Sequence, residues 1–168
     1  MPHPLSTDCP LPAASRPLAD LGLDAFETAL LPLLRHFAAS PRAPGSQAWH
    51  LAYQTAAERW GESFGLPLAH ALAALVGRAD ALIGGLTCHD ALEPATRQRV
   101  TADEAAFLRM LHHMRRDRTP AARQAVAELA QGRMDAGLIR CGLSLARRFP
   151  AGIEAPAAPS RPCLRIAV

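Results

Sequence analysis

The sequence predicts an all-α protein, and three features support that class. Among its 168 residues, 35 are Ala and 24 are Leu, two of the strongest helix formers. The β-branched residues Val, Ile and Thr together contribute only 15. Apolar residues also recur at helical spacing in successive segments separated by loops that contain Pro and Gly. We expect an irregular bundle of five or six short helices around a central apolar helix.

The chain length fits one domain, which we expect to span residues 20–149. Residues 1–19 predict a loose N-terminal tail, and residues 150–168 a Pro/Ala-rich C-terminal tail. Residues 64–86 are apolar enough to span a bilayer, but Arg78 and Asp80 would be costly there, so no membrane association is expected. The four Cys show no disulfide spacing and no secretory signal is visible, which predicts a cytoplasmic protein.

The first helix is expected to begin near Leu21 or Asp24 and to end at Ala39. Asp24 and Glu27 have the spacing of a capping box, in which each side chain bonds the backbone N–H of the other. Pro32 lies inside this segment and predicts a kink or a break into two shorter helices.

The next helix is expected to begin after a Ser46 cap and to end near Ser63. Its two Trp and the only Tyr share one face: Trp49, Tyr53 and Trp60. Such a stripe is typical of core packing, but Trp and Tyr are also frequent at binding hot spots. The stripe is therefore a candidate partner surface.

The central helix is expected over residues 67–83, with Pro67 at its first position and a Gly pair as its stop. One side of it is strongly apolar. The other side has small residues at every fourth position, which would allow another helix to approach closely. These are Ala69, Ala73, Gly77, Ala81 and Gly85. The ridge predicts close packing either within the monomer or across a homodimer interface.

Three shorter helices are expected after a loop. The first follows a capping box formed by Thr101 and Glu104 and ends near Arg116. The second follows a Thr119 cap and ends near residue 130. The last begins after an Asp135 cap and ends near residue 148.

Charge is divided unevenly along the chain. Residues 1–96 carry 5 Arg and 9 acidic residues, whereas residues 97–148 carry 11 Arg and 5 acidic residues. The absence of Lys and Asn is accounted for by GC-rich codon usage, so the Arg content alone does not indicate nucleic-acid binding. The basic half nevertheless supplies candidates for a partner surface. They are Arg109, His112, Arg116, Arg123, Arg140, Arg147 and Arg148.

A helix-turn-helix with its turn at Gly132 was considered for this basic half. It would place the charged Glu128 where the two helices must touch, so the motif fits poorly. A solvated basic face is the structural alternative. Nucleic-acid binding is therefore possible but not favoured.

No motif for a nucleophile, a phosphate-binding loop or a zinc protease occurs in the chain. Cys88, His89 and Asp90 are adjacent in sequence, whereas catalytic groups usually meet in space. Cys88 and His89 could join Cys141 only as a sparse metal site, because no two ligands share a helical i, i+4 spacing. No metal and no cofactor is predicted.

These observations favour a non-enzymatic helical module for protein interaction or regulation. Its partner would be another protein or a second copy of the chain. Two alternatives stay open: a nucleic-acid-associated regulator that uses the basic half, and a helical protein that binds a small molecule, a metal or haem.

Overall fold

The computed structural model describes residues 15–152. Six helices dominate this part of the chain, and its only strands form one antiparallel pair, so the predicted all-α class is confirmed. The helices are α1 (Ala25–Ala39), α2 (Ala48–Trp60), α3 (Glu62–Ile83), α4 (Ala102–Met114), α5 (Thr119–Leu129) and α6 (Ala136–Arg148). The strands are β1 (Arg16–Pro17) and β2 (Arg99–Val100).

Helix α3 is the central apolar helix, as predicted. It packs against α1, α2 and α6, while α4 packs against α1, α5 and α6. Leu68, Leu72 and Leu75 of α3 are fully buried at these contacts. Its length and its mean hydropathy of 1.4 would also suit a membrane span, a property that core helices of soluble proteins share. The contacts with three helices are those of such a core helix.

The start of α3 differs from the prediction, because the helix begins at Glu62 and contains Pro67 in its interior. Only Gly61 separates α2 from α3, and its φ of +76° allows the chain to reverse there. The reversal packs the first turns of α3 against α2. We infer that this packing outweighs the backbone hydrogen bond that Pro67 cannot donate.

Two other local predictions need correction. Helix α1 is one helix with Pro32 inside it, so the predicted break does not occur. Ser46 does not cap α2, because Gln47 occupies that position with a φ of +52° and no capping side chain. The Ser46 hydroxyl instead donates to the carbonyl oxygen of Ala43 over 2.6 Å.

Part of the predicted N-terminal tail belongs to the fold. Arg16 pairs with Val100 in the two-stranded sheet, and Leu18 is buried in the core. These contacts tie the segment before α1 to the loop before α4, which sequence periodicity could not reveal in a segment this short. Residues 1–14 and 153–168, which make up the rest of the two predicted tails, lie outside the described residues.

Two glycines of α3 are expected to respond in opposite ways to Ala. At Gly65 an added Cβ would lie 2.2 Å from the carbonyl oxygen of Ala56, so Gly65→Ala should destabilise the fold by about 1–3 kcal/mol. At Gly77 nothing in the described chain lies within 4 Å of an added Cβ. Gly77→Ala should therefore stabilise it by about 1 kcal/mol, the difference in helix propensity.

Urea unfolding followed by circular dichroism measures both changes. Each variant serves as the control for the other, because both replace a glycine with alanine in the same helix. A loss of stability in Gly77→Ala would contradict an open surface at Gly77 and would indicate that another helix packs there.

Candidate functional site

Three of the predicted partner-surface residues, all on α4, are engaged inside the molecule. Arg109 donates from Nη2 to Oε2 of Glu128 over 2.6 Å. Arg116 donates from Nη1 to Oε1 of Glu27 over 2.5 Å, and His112 Nδ1 lies 2.8 Å from Oε2 of the same carboxylate. These three side chains therefore do not present an unpaired basic face.

Glu27 is the centre of a buried polar cluster, which we call the Glu27 cluster. Its members are Asp24, Glu27, His112, Arg115 and Arg116. Arg115 donates to Glu27 over 2.6 Å and to the carbonyl oxygen of Phe149 over 2.7 Å. Its guanidinium lies 4.4 Å from the ring centroid of Phe26. The cluster thus joins α1 and α4 to the end of α6.

Glu27 and Asp24 also form the predicted capping box of α1, which is confirmed. Burial alone would raise the pKa of the Glu27 carboxyl, but hydrogen bonds from His112 and Arg116 outweigh it. The pKa of Glu27 therefore lies below its ordinary value. The pKa of Asp24 is lowered too, because its bond with the Glu27 N–H and its attraction to Arg115 outweigh desolvation.

A second buried group, the Glu104 cluster, consists of Arg35, His89, Thr101 and Glu104. Arg35 Nε donates to Oε1 of Glu104 over 2.7 Å, and both side chains are almost fully buried. The Glu104 carboxylate also accepts from the backbone N–H of His89 and of Thr101, which confirms the second capping box. The cluster holds the 84–101 loop against α1 and α4, which is a structural role.

The weak metal candidates do not converge. Burial, as the largest cause, raises the pKa of the Cys88 thiol to about 12, so the thiol stays protonated at neutral pH. His89 Nε2 lies 3.1 Å from the Ser15 hydroxyl, and Cys141 lies on α6. Within residues 15–152, no three His, Cys, Asp or Glu side chains are placed to hold a metal ion together.

The aromatic stripe of α2 is divided between core and surface. Trp60 is 4% exposed and packs against Phe26, so it is a core residue and is corrected as a partner-surface candidate. Trp49 is 51% exposed and stands edge-on to Tyr53, which itself contacts Phe37. Only the first turns of α2 therefore offer aromatic surface.

The small-residue ridge of α3 likewise runs from the core to the surface. Ala69 is fully buried, Ala73 is half-buried, and Gly77 and Ala81 are exposed. Close packing inside the protein therefore accounts for the N-terminal end of the ridge only. At the C-terminal end, Gly77 has no neighbour within the described chain.

An apolar groove lies between α5 and α6, where a cavity of about 220 Å³ opens to the surface. We call it the α5–α6 groove. Its apolar lining is formed by Met114, Ala122, Val126, Met134, Ile139 and Leu143. Met134 is 49% exposed and Leu143 is 36% exposed. Ile139 and Leu143 also line the outer face of α6, so the apolar surface continues along that helix.

Arginines surround this groove, and we call them the Arg rim. Arg118 and Arg123 line the cavity, and the adjoining face of α6 adds three more. The complete rim is Arg118, Arg123, Arg140, Arg147 and Arg148. Within residues 15–152 the ion pairs of arginine involve other residues, and Asp117 is the one acidic residue that lines the cavity. The groove is therefore apolar inside and positive at its edge.

His113 provides a polar group at the wall of the groove. Its Nδ1 atom is buried and has no hydrogen-bond partner among the described residues. Burial lowers the pKa of His113, and the nearby His112 and Arg118 lower it further, so the neutral ring is favoured. A neutral imidazole can supply a hydrogen bond to an occupant of the groove.

Sequence reasoning identified four residues of the Arg rim but missed the groove itself. Ile139 and Leu143 are one helical turn apart on α6, beside Arg140 and Arg147. That i, i+4 pair was the available signal. It was not decisive, because the same spacing occurs on buried faces. Met134 lies in the loop before α6, where no periodicity applies.

No protein-family model matches this sequence, and comparisons with curated proteins and with solved structures found no significant match.

Proposed function

We propose that this protein is a non-enzymatic interaction module that binds an acidic, amphipathic segment of another protein in the α5–α6 groove. The observation that carries the proposal is an exposed apolar groove bordered by five arginines that lack acidic partners in the described chain. We keep the expectation of a cytoplasmic location, in keeping with the unpaired thiols of Cys88 and Cys141.

The size of the cavity supports a protein partner. Its volume of about 220 Å³ is smaller than the roughly 300–1,000 Å³ typical of small-molecule pockets. It suits one anchoring side chain of a partner, with further apolar contacts along Ile139 and Leu143. A helix that docks in a groove presents its anchors at such spacing.

The charge of the rim supports an acidic partner. Five positive side chains around an apolar centre would favour carboxylates on both sides of the anchoring residues. Arg also forms bidentate bonds with carboxylates, which fix the orientation of a docked segment. A basic partner would meet only Asp117 as an attractive charge in the cavity.

Nucleic-acid binding was the first alternative, and it required six arginines on one continuous surface. Two of the six are paired, since Arg109 binds Glu128 and Arg116 binds Glu27 and Asp24. The remaining positive residues surround apolar side chains, which a phosphate backbone does not use. These observations favour the protein partner over nucleic acid.

The proposal can be tested with a fluorescein-labelled peptide that has Leu at helical i, i+3, i+4 and i+7 positions and Glu at the others. Fluorescence anisotropy should show saturable binding that weakens as salt screens the charges. Leu143→Asp and Arg123→Glu should each weaken binding at least about tenfold. Leu66→Asp is the matched control, because Leu66 has similar exposure (39% against 36%) but lies on α3.

A peptide with Lys in place of Glu should not bind. Absence of saturable binding, or equal binding by Leu143→Asp and the control, would contradict the proposal. Tighter binding of a duplex DNA than of the peptide would support the nucleic-acid alternative instead. A dimer that Leu143→Asp dissociates in sedimentation experiments would show that a second copy occupies the groove.

A further inference from the structure

A second cavity, of about 720 Å³, lies on another face of the molecule. It is enclosed by the end of α1, the segment that leads into α2, and the 84–92 loop. We call it the α1–loop cavity. Its volume falls within the roughly 300–1,000 Å³ range of small-molecule sites, unlike that of the α5–α6 groove.

His36 lines this cavity and is only 8% exposed. Its ring makes no hydrogen bond with any residue in the range 15–152. Burial is the main cause that lowers the pKa of His36, against the weaker opposing effect of Asp90, so the ring is neutral at pH 7. The imidazole thus offers one donor and one acceptor, and neither is used by the described chain.

An unused polar group at this depth is costly for the fold. A buried donor or acceptor without a partner destabilises a protein by about 1–3 kcal/mol. The other buried polar side chains beside the cavity are bonded: Arg35 to Glu104, and His89 to the Ser15 hydroxyl. The unpartnered ring of His36 therefore points to an occupant of the cavity.

The charges around the cavity indicate the kind of occupant. The two arginines in its wall are already paired, Arg35 with Glu104 and Arg42 with Asp80. The unpaired charge is that of Asp90, an exposed residue, which would repel an anion. A cation would have to approach the two guanidinium groups. An uncharged ligand avoids both penalties.

Most of the remaining wall is apolar. Alanines, Leu51 and Leu92 contribute to it, and Leu92 is 71% exposed. The Cys88 thiol, protonated at neutral pH, adds a weakly polar and uncharged surface. Such walls suit a ring or an aliphatic body that buries its surface against them.

We propose that the α1–loop cavity binds an uncharged organic molecule with an apolar ring and one hydroxyl or N–H group, which hydrogen-bonds with His36. The proposal does not rest on the α5–α6 groove, which lies between other helices.

Titration of the full-length protein with 2-naphthol, followed by calorimetry and ligand fluorescence, tests this site. Saturable binding with a Kd below about 1 mM is expected. 2-Naphthoate has the same ring but a negative charge, so it should bind at least about tenfold more weakly, because Asp90 is negative and no arginine of the wall is unpaired.

Two variants locate the binding. His36→Leu removes the hydrogen bond and should weaken 2-naphthol binding about tenfold. Because the histidine is buried without a hydrogen bond, this variant should keep or raise the midpoint of urea unfolding. Ala39→Trp fills the cavity from an exposed position at the end of α1 and should abolish binding. His70→Ala, at an exposed position on α3, is the control and should bind within about twofold of the wild type.

Unchanged binding in both His36→Leu and Ala39→Trp would overturn the proposal, as would equal affinity for 2-naphthoate or the absence of saturable binding. Binding that is lost in Leu143→Asp but kept in His36→Leu would place the ligand in the α5–α6 groove and would equally overturn it.

Discussion

Replacing Arg35 with Met is expected to lower the free energy of unfolding by about 3–5 kcal/mol. The substitution leaves the Glu104 carboxylate fully buried without its cation. Arg35 also donates to the carbonyl oxygens of Thr96 and Arg99, so the 84–101 loop loses its attachment to α1. A loss of this size is a large fraction of the roughly 5–15 kcal/mol that stabilises a typical domain.

Urea unfolding followed by circular dichroism measures the change, and Arg97→Met is the matched control. Arg97 is exposed in the same loop, so its substitution should change stability by no more than about 0.5 kcal/mol. The double variant Arg35→Met/Glu104→Gln should be more stable than Arg35→Met alone, because no charge then stays buried. A loss below about 1 kcal/mol in Arg35→Met would show that the pair is not desolvated.

Replacing Glu27 with Gln is expected to have a similar effect, about 3–5 kcal/mol, for a different set of contacts. Glu27 is fully buried, and Arg115 beside it has a side chain that is 2% exposed. Without the carboxylate, Arg115 stays buried with only the half-buried Asp24 as its anion. Glu62→Gln, an exposed position in the first turn of α3, is the control and should be nearly neutral.

The Glu27 prediction also has a pH signature. The folded-state pKa of Glu27 lies below its ordinary value of 4.5, so its ionised form stabilises the fold fully only above that pH. Stability should fall as the pH drops below about 4.5 and the carboxylate takes up a proton. Glu27→Gln should show a shallower loss over the same range. The part that remains would come from Asp24 and other carboxylates, and equal slopes in the two proteins would contradict the assignment.

Local patterns predicted the ends of several helices correctly because the chemistry of those ends is local. The side chains of Asp24 and Glu27 bond each other's backbone across three residues, and the same holds for Thr101 and Glu104. Asp135 likewise accepts from the N–H of Leu138. Such bonds need no distant partner, so sequence spacing is sufficient to predict them.

The misassigned elements depended on distant contacts. Pro67 looked like a helix start until the turn at Gly61 brought the residues before it against α2. Trp60 looked like part of a surface stripe, but it packs against Phe26 of α1. Neither neighbour can be identified from local periodicity.

The same distinction applies to the candidate sites. Sequence indicated an uneven charge distribution and named Arg123, Arg140, Arg147 and Arg148, all of which are exposed. It could not predict that Glu27 would neutralise Arg116, because 89 residues separate the two along the chain. The isolation of His36 in a cavity was equally invisible, since a missing partner leaves no sequence pattern.

The sequence by itself therefore determined the helical class, the central apolar helix and the basic second half. These follow from composition and from contacts within one helical turn, which any chain segment carries with it. The tertiary structure decided which charges are paired and which apolar residues stay exposed. Both depend on which side chains meet across helices: Glu27 finds three cationic or ionisable partners on α4, whereas Leu143 finds no helix to cover it.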